Sequence, residues 1–325
     1  MKNSRGRLFA SLPAVWACGV SLVFAQSYPA KPIKLLVPFG AGGITDIVAR
    51  ITGDELRQKL AQPVVIENRP GAGGNIAGEA AAKAAPDGYT LMMTTAALLT
   101  VNPHLYARMP FDPFKDFTFV SLVASTPHVI VVNPGVEAGT LQALVALAKA
   151  KPESLAFGTA GNGSSPHQGL ALLQFLTQAR FLHVPFKSGS ESVTNVIAGN
   201  VQMTFEAIPV VISHVQSGKL RALALASPRR NGAMPELPTT AEAGVSGLET
   251  GSVSGILGPA GLPAAVVATL ERTLREVLAT YRFREHLSAQ GSDPIGSTPE
   301  EFRAAMQEES ARWAKVFKQT GIKLQ

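Results

Sequence analysis

The apolar positions of the chain change period again and again. Ile33 to Val37 is a short β-branched-rich run, the pattern of a strand, and Ile47, Val48, Ile51 and Leu56 then recur at helical spacing. Gly40, Gly42 and Gly43 stand between them, so the first unit reads as strand, glycine turn and helix. A helix entered through glycines leaves backbone N–H groups unpaired and turns its positive end toward whatever lies above the strand, which favours an anion. The same glycines would also serve a tight strand-to-helix corner. The unit repeats: Val64 to Glu67 is a strand, Asn68 to Gly74 a loop and Ile76 to Ala85 an alanine-rich helix. Pro86-Asp87-Gly88 then turns the chain into a strand over Tyr89 to Thr95. Three such units predict a parallel sheet with ligands beyond the carboxyl ends of its strands.

Asn102 to Phe117 carries Pro103, Pro110 and Pro113 and reads as an irregular connection. Phe119 to Val123 and Val129 to Val132 read as two strands flanking Pro127, with a domain crossing near Asn133-Pro134-Gly135. Thr140 caps a helix over Leu141 to Ala150, and the strand Leu155 to Gly158 opens into Thr159-Ala160-Gly161-Asn162-Gly163-Ser164-Ser165-Pro166-His167 before a helix to Gln178. This is a second anion-seat candidate. Ser165 suits the cap, Pro166 the first helical position, and Ser164 and Thr159 supply hydroxyls. The loop lacks the Lys-Ser/Thr of a phosphate-binding P-loop and the third glycine of a dinucleotide fingerprint, which disfavours nucleotides.

Further strands are expected at His183 to Phe186, Val201 to Phe205 with Glu206 at its carboxyl end, and Leu220 to Ala226. Helices are expected at Ser192 to Ala198 and Pro209 to Ser217. Pro228 to Glu242 reads as a surface excursion, and the glycine-rich Gly244 to Gly261 as the crossing back. The end is helical: Ala264 to Leu278, then a capping box at Thr298-Pro299-Glu300-Glu301 opening a helix to Gln319 with Phe302, Met306 and Trp313 as its core stripe.

Composition narrows the class. With 325 residues, 46% hydrophobic and 6% aromatic, the chain is globular and long enough for two domains. Lys2, Arg5 and Arg7 precede an uncharged run from Leu8 to Phe24, the anatomy of a secretory signal peptide over residues 1–25, cut after Ala25. The one cysteine, Cys18, lies inside it, so the mature chain has no disulfide or thiolate ligand; Val15-Trp16-Ala17-Cys18 is a poor lipoprotein box. The net charge of +6 falls to +3 without the three leader cations, too little to suggest nucleic acid. The histidines show no metal spacing. An enzyme alternative is a secreted hydrolase using Ser164 or Ser165 with His167, although no G-x-S-x-G elbow occurs.

The ordered set Pro32-Ile33 through Pro38-Phe39 with Ala41-Gly42-Gly43 and Asp46, Glu67 to Gly74, Pro86 to Thr90, Asn102-Pro103, Lys115-Asp116-Phe117, Gly161 to His167, Val184 to Lys187, Gly218 to Ala224 and Pro238-Thr239 to Gly244 resembles the Bug-type solute receptors of tripartite tricarboxylate transporters across essentially the whole mature chain. The resemblance implies an α/β two-domain periplasmic-binding-protein (Venus flytrap) fold, type II-like, each domain a mostly parallel sheet flanked by helices. Residues 26–127 and 251–325 would form domain 1 and residues 128–250 domain 2. It further implies a monomeric periplasmic receptor rather than an enzyme, with no cofactor, holding a small carboxylated solute for membrane transporter subunits or a sensor. The implied site comprises Phe39, Gly42, Gly43 and Asp46; Thr95, Ala96 and Ala97; Thr159, Gly161, Gly163, Ser164 and His167; and Glu206 with Ala207. His167 and Asp46 also have structural readings, as a loop bridge and as a first-turn residue on the helix dipole. Departures from the pattern are Leu98-Leu99 before Asn102-Pro103, Ser188 after Lys187, and Glu206. If Glu206 faces the cleft it favours a ligand with a protonatable nitrogen; otherwise it pairs with a base such as Lys187.

Overall fold

The structure, a computed structural model, describes residues 28–320; the leader, its cleavage point and Cys18 lie outside the described residues. β1 (Ile33–Val37), α1 (Ile44–Leu60), β2 (Val64–Asn68), α2 (Asn75–Ala82) and β3 (Thr90–Thr95) form the first run, and β1 lies between β2 and β3 with parallel pairing on both sides. Alternate residues of β1 serve opposite faces. Ile33, Leu35 and Val37 join Val48 and Leu56 of α1, whereas Leu36 joins Ala77 and Ala81 of α2. A strand covered on both faces is apolar where it is covered, which is why Leu35 to Val37 lacks polar alternation; Lys34, near the start, is exposed.

After the short helices α3 (Ala96–Thr100) and α4 (Asn102–Leu105) comes β4 (Phe117–Val132), one strand of 16 residues where the sequence suggested two around Pro127. Pro127 cannot donate to a ladder, and the strand tolerates it because the partners change there. β4 pairs with β9 (Gly251–Pro259) up to Pro127, then with β7 (Met203–Ala207) from His128 and with β8 (Arg221–Leu225) from Val129. Gly251 sits opposite Pro127, and a Cβ there would run into the Thr126 carbonyl, so glycine permits the close approach.

Between β4 and β9 the chain builds the second half: α5 (Leu141–Ala150), β5 (Ala156–Thr159), α6 (Ser165–Thr177), β6 (Leu182–Pro185), α7 (Gly189–Ile197), β7, α8 (Ile208–Gln216) and β8. β5 pairs in parallel with β6 and β7. The last run is α9 (Ala264–Ala279), α10 (Tyr281–Ala289), β10 (Asp293–Pro294) and α11 (Pro299–Thr320). The strand order is β2-β1-β3-β9-β4-β7-β5-β6, with β8 and β10 also on β4. Outer strands are parallel as expected; β9 and β4, which carry the chain between the halves, are antiparallel. The glycine-rich Gly244 to Gly261 segment does cross, but as a strand that seals β3 to β4. α10 escaped the sequence reading because only Phe283 and Leu287 mark its buried face. Phe302, Met306 and Trp313 of α11 are buried, with the Phe302 ring edge-on to Phe119 at 4.9 Å between centroids.

Candidate functional site

Two loops from opposite halves meet. In the first, β1 ends at Val37 and Gly43 is the N-cap of α1 in an extended conformation, with no side chain to cap the helix amides. Gly42 takes φ +79°, open to glycine at little cost. Its N–H donates to Asp46 Oδ2 at 2.9 Å. Arg50 grips both oxygens of the same carboxylate, at 2.9 and 3.0 Å, and Asn68 Nδ2 adds a further bond at 2.9 Å. Burial pushes Asp46 up, but the bonds from Arg50, Gly42 and Asn68 and the charge of Arg50 together hold it below the usual carboxylate range. Asp46 therefore pins the loop from behind.

In the second loop Ser164 is the N-cap of α6, yet its hydroxyl donates backward to Gly161 O at 2.6 Å and leaves the helix amides without a side-chain cap. Gly163 N–H donates to His167 Nδ1 at 3.1 Å, and the His167 ring stacks on His183 at 4.3 Å. His183 Nε2 shares a 2.7 Å hydrogen bond with Thr159 Oγ1, which also accepts from Gly161 N–H. Burial lowers His167 to about 3, helped by its neighbour His183, and lowers His183 to about 4, so both rings are neutral at pH 7 and His167 Nδ1 is free to accept.

The N-termini of α1 and α6 face one small cavity of about 20 Å³, lined by Phe39, Gly43, Ile44 and Thr45 on one side and Ala160, Ser164, Ser165, Pro166, Gly189 and Glu206 on the other, with Ser252 of β9 between. Ser252 links the cavity to the crossing strands: its hydroxyl meets Ser165 Oγ at 3.1 Å and His128 Nε2 at 3.3 Å, while His128 Nδ1 meets Thr250 Oγ1 at 2.6 Å. The halves also touch around the cavity. Gly40 N–H donates to Lys187 O at 3.0 Å, Ser190 Oγ to Ala41 O at 2.8 Å and Tyr106 Oη to Asn162 O at 2.9 Å.

Of the residues singled out from sequence, Phe39, Gly43, Ser164 and Glu206 line this cavity. Gly42, Asp46, Thr159, Gly161, Gly163 and His167 form the loops behind it. Ala207, fully buried, is the N-cap of α8. Thr95 caps α3 by accepting from Leu98 N–H, and Ala96 and Ala97 line an open crevice of about 810 Å³ between the halves, which shares Ser165 with the small cavity. That crevice is larger, but its Arg229, Arg230 and Arg312 are paired with Asp293, Glu242 and Glu309, and the chemistry of uncapped helix ends lies at the small cavity. Sequence reasoning missed Thr45, Gly189 and Ser252. Thr45 follows the first loop directly and was within reach; Ser252 comes from a strand that only the fold brings here. Ser164 and Ser165 bond to Gly161 and Ser252, and His167 to Gly163, so neither serine has His167 as its base. Among the described residues no three metal-ligating side chains cluster, and no helix is long and apolar enough to cross a membrane.

A family model described as "Tripartite tricarboxylate transporter family receptor" matches residues 48–322. The chain belongs to this family. Like the other members of this family, it is a solute-binding receptor of the periplasmic type. It is 38% identical over 303 residues to protein BugT of Bordetella pertussis, covering 93% of each chain. Among solved structures, it is 32% identical to an R. palustris protein with adipate at a TM-score of 0.88, over 91% of this chain and 100% of that one. MatC from Rhodopseudomonas palustris with bound malate is 29% identical at a TM-score of 0.85, over 89% and 99%. The receptor family and its two-domain α/β fold thus agree with the sequence resemblance.

Proposed function

We propose that this receptor captures a small carboxylated solute between its two halves and presents it to the membrane subunits of a tripartite transporter, or to a sensor. The observation that carries the reading is the convergence of two helix N-termini without side-chain caps, those of α1 and α6, on one cavity. Each helix end contributes unpaired amides and roughly half a positive charge, worth about 0.3–2 kcal/mol toward an anion. A carboxylate seated on such amides needs no permanent buried cation in the protein. Relatives with adipate and malate support this class of ligand.

A cavity of about 20 Å³ has room for one water. Solute entry therefore requires the halves to part. We take residues 26–127 with 251–325 and residues 128–250 as the two bodies, flexing on β4 and β9 where partners change at Pro127 and His128. The contacts of Gly40, Ala41 and Tyr106 with Lys187, Ser190 and Asn162 then break and reform with each capture. Only closed halves offer both helix ends to one ligand, so ligand binding favours closure. The site residues named from sequence enter this reading as the lining, Phe39, Gly43, Ser164 and Glu206, and as the supports of its loops, with Thr95, Ala96 and Ala97 at the flank.

The test is native mass spectrometry of the mature protein from periplasm, with a thermal-shift panel of dicarboxylates, amino acids and aromatic acids. One carboxylic acid at one-to-one stoichiometry is expected. A protein that carries none and is unshifted by the whole panel would overturn the reading.

A further inference from the structure

Two carboxylates are buried among the described residues, Asp46 and Glu206, and they are treated oppositely. Asp46 has Gly42, Arg50 and Asn68 around it. Glu206, 2% exposed on β7, keeps Oε1 without a hydrogen-bond partner, and the base suggested from sequence, Lys187, is exposed and makes no ion pair with it. Glu206 is also the one ionisable side chain in the cavity lining; the remaining polar groups there are the hydroxyls of Thr45, Ser164, Ser165 and Ser252. Buried polar atoms without partners are rare because each forfeits its hydration, and an orphan oxygen in a ligand cavity points to a donor brought by the ligand.

We propose that Glu206 sets specificity, its free Oε1 accepting a hydrogen bond from a protonated nitrogen on a solute whose carboxylate sits on the α1 and α6 helix ends. This rests on the carboxylate reading above and narrows it to amino-bearing carboxylates. A dicarboxylate would bring a second acceptor to a group that is itself an acceptor when ionised. A site built to receive an N–H rejects the analogue lacking it strongly, because the buried oxygen then stays unpaired.

Burial pushes Glu206 up to about 8, against the opposing Ala207 N–H, so the carboxyl is protonated at pH 7 in the absence of a cation. The titratable groups on elements packed against β7 are His128 on β4, His167 on α6, Glu191 on α7 and His214 on α8, none bonded to Glu206; across the cavity Asp46 and Arg50 are paired with each other. An ammonium at Oε1 favours the ionised carboxylate. The Glu206 proton then leaves to solvent, the ligand keeps its own, and capture releases about one proton.

The test is calorimetric titration of the mature protein at pH 7, in two buffers of different ionisation enthalpy, with the matched pairs aspartate and malate, 2-aminoadipate and adipate, and with 1,4-diaminobutane. The expected result is that the amino member of at least one pair binds at least ~100-fold tighter than its partner with release of about one proton. In Glu206→Gln, an isosteric neutral change whose fold is checked by thermal unfolding, both the preference and the proton release should vanish. Failure of both amino members to reach that preference, or a preference unchanged in Glu206→Gln, overturns the inference while leaving the carboxylate reading intact. Tight binding of 1,4-diaminobutane overturns the carboxylate reading instead. No binding by any of the five overturns both.

Discussion

The carboxyl group of Glu206 lies directly against the Cα of Gly189, so that any Cβ added at Gly189 would overlap both carboxyl oxygens. Gly189 is the first residue of α7, with Ser188 as its cap. Its φ lies outside the left-handed region, so space rather than backbone conformation requires the glycine.

Gly189→Ala should therefore have opposite effects in two backgrounds. Beside Glu206 the overlap should destabilise the protein by about 1–3 kcal/mol, as overpacking does. In Glu206→Ala the space is free and the better helix propensity of alanine, up to about 1 kcal/mol, should make the same change stabilising. Urea unfolding of the four proteins tests this; additive effects would show that the two residues do not meet.

Stability should pass through a maximum near pH 6.5. Burial lowers His128 and His167 to about 3 and His183 to about 4, so below ~6.5 the unfolded chain takes up protons that the folded protein refuses, and stability falls with acidification. Glu206, raised to about 8, works the other way: from ~4.5 to about 8 the folded protein holds a proton that the unfolded chain has lost, so stability falls as pH rises. Glu206→Gln should abolish the alkaline decline and be more stable than the parent at pH 8, by on the order of 2–4 kcal/mol, with the difference fading toward pH 4.5. Denaturant unfolding across pH 4.5–8.5 measures it; a constant difference would refute the assignment.

Asp46→Ala should cost about 1–3 kcal/mol, since Gly42 N–H loses its acceptor and Asn68 Nδ2 keeps only Phe39 O. Because the Asp46 carboxyl is held below its ordinary value, its contribution is present above the carboxylate range and is lost as pH falls below it, so parent and variant should converge in acid. Ligand affinity should drop as the first loop loosens. Calorimetry at pH 7 and thermal melts at pH 3 and 7 check the two halves of this expectation.

Tyr106→Phe removes one hydrogen bond between the halves, to Asn162 O, without creating a cavity. The closed form should weaken by about 0.5–1.5 kcal/mol, speeding ligand release some 2–10-fold with little change in the association rate. Stopped-flow displacement of the ligand identified by mass spectrometry measures it; a change confined to association would contradict closure after capture.

Much of this was legible in the chain. Ile33 to Val37 with its glycines and helix, and Thr159 to His167 with Pro166, announce two strand-loop-helix corners because local chemistry alone shapes them. Pro127 misled, since a proline normally ends a strand and only the change of partner beneath it lets β4 continue. Ser252 and Gly189 had no sequence signal as cavity residues: one reaches the site through β9 pairing and the other through the position of Glu206 across α7. The direction of Asp46, toward Arg50 and not the cavity, depended on Asn68 arriving from β2.

β9 lies between β3 and β4, yet it is made after both, with the whole second half of the chain intervening. During synthesis the edge of β3 consequently has no β9 to pair with until residues 251–259 arrive, while residues 128–250 already contain all the partners of the β5–β6–β7 pairing. An unpaired apolar edge is a template for wrong partners. The order of folding is thereby written into the order of strands: the inserted half can consolidate early, and the half that carries the first helix end closes last. Pulse-labelling hydrogen exchange should find the β3 amides protected later than those of β7.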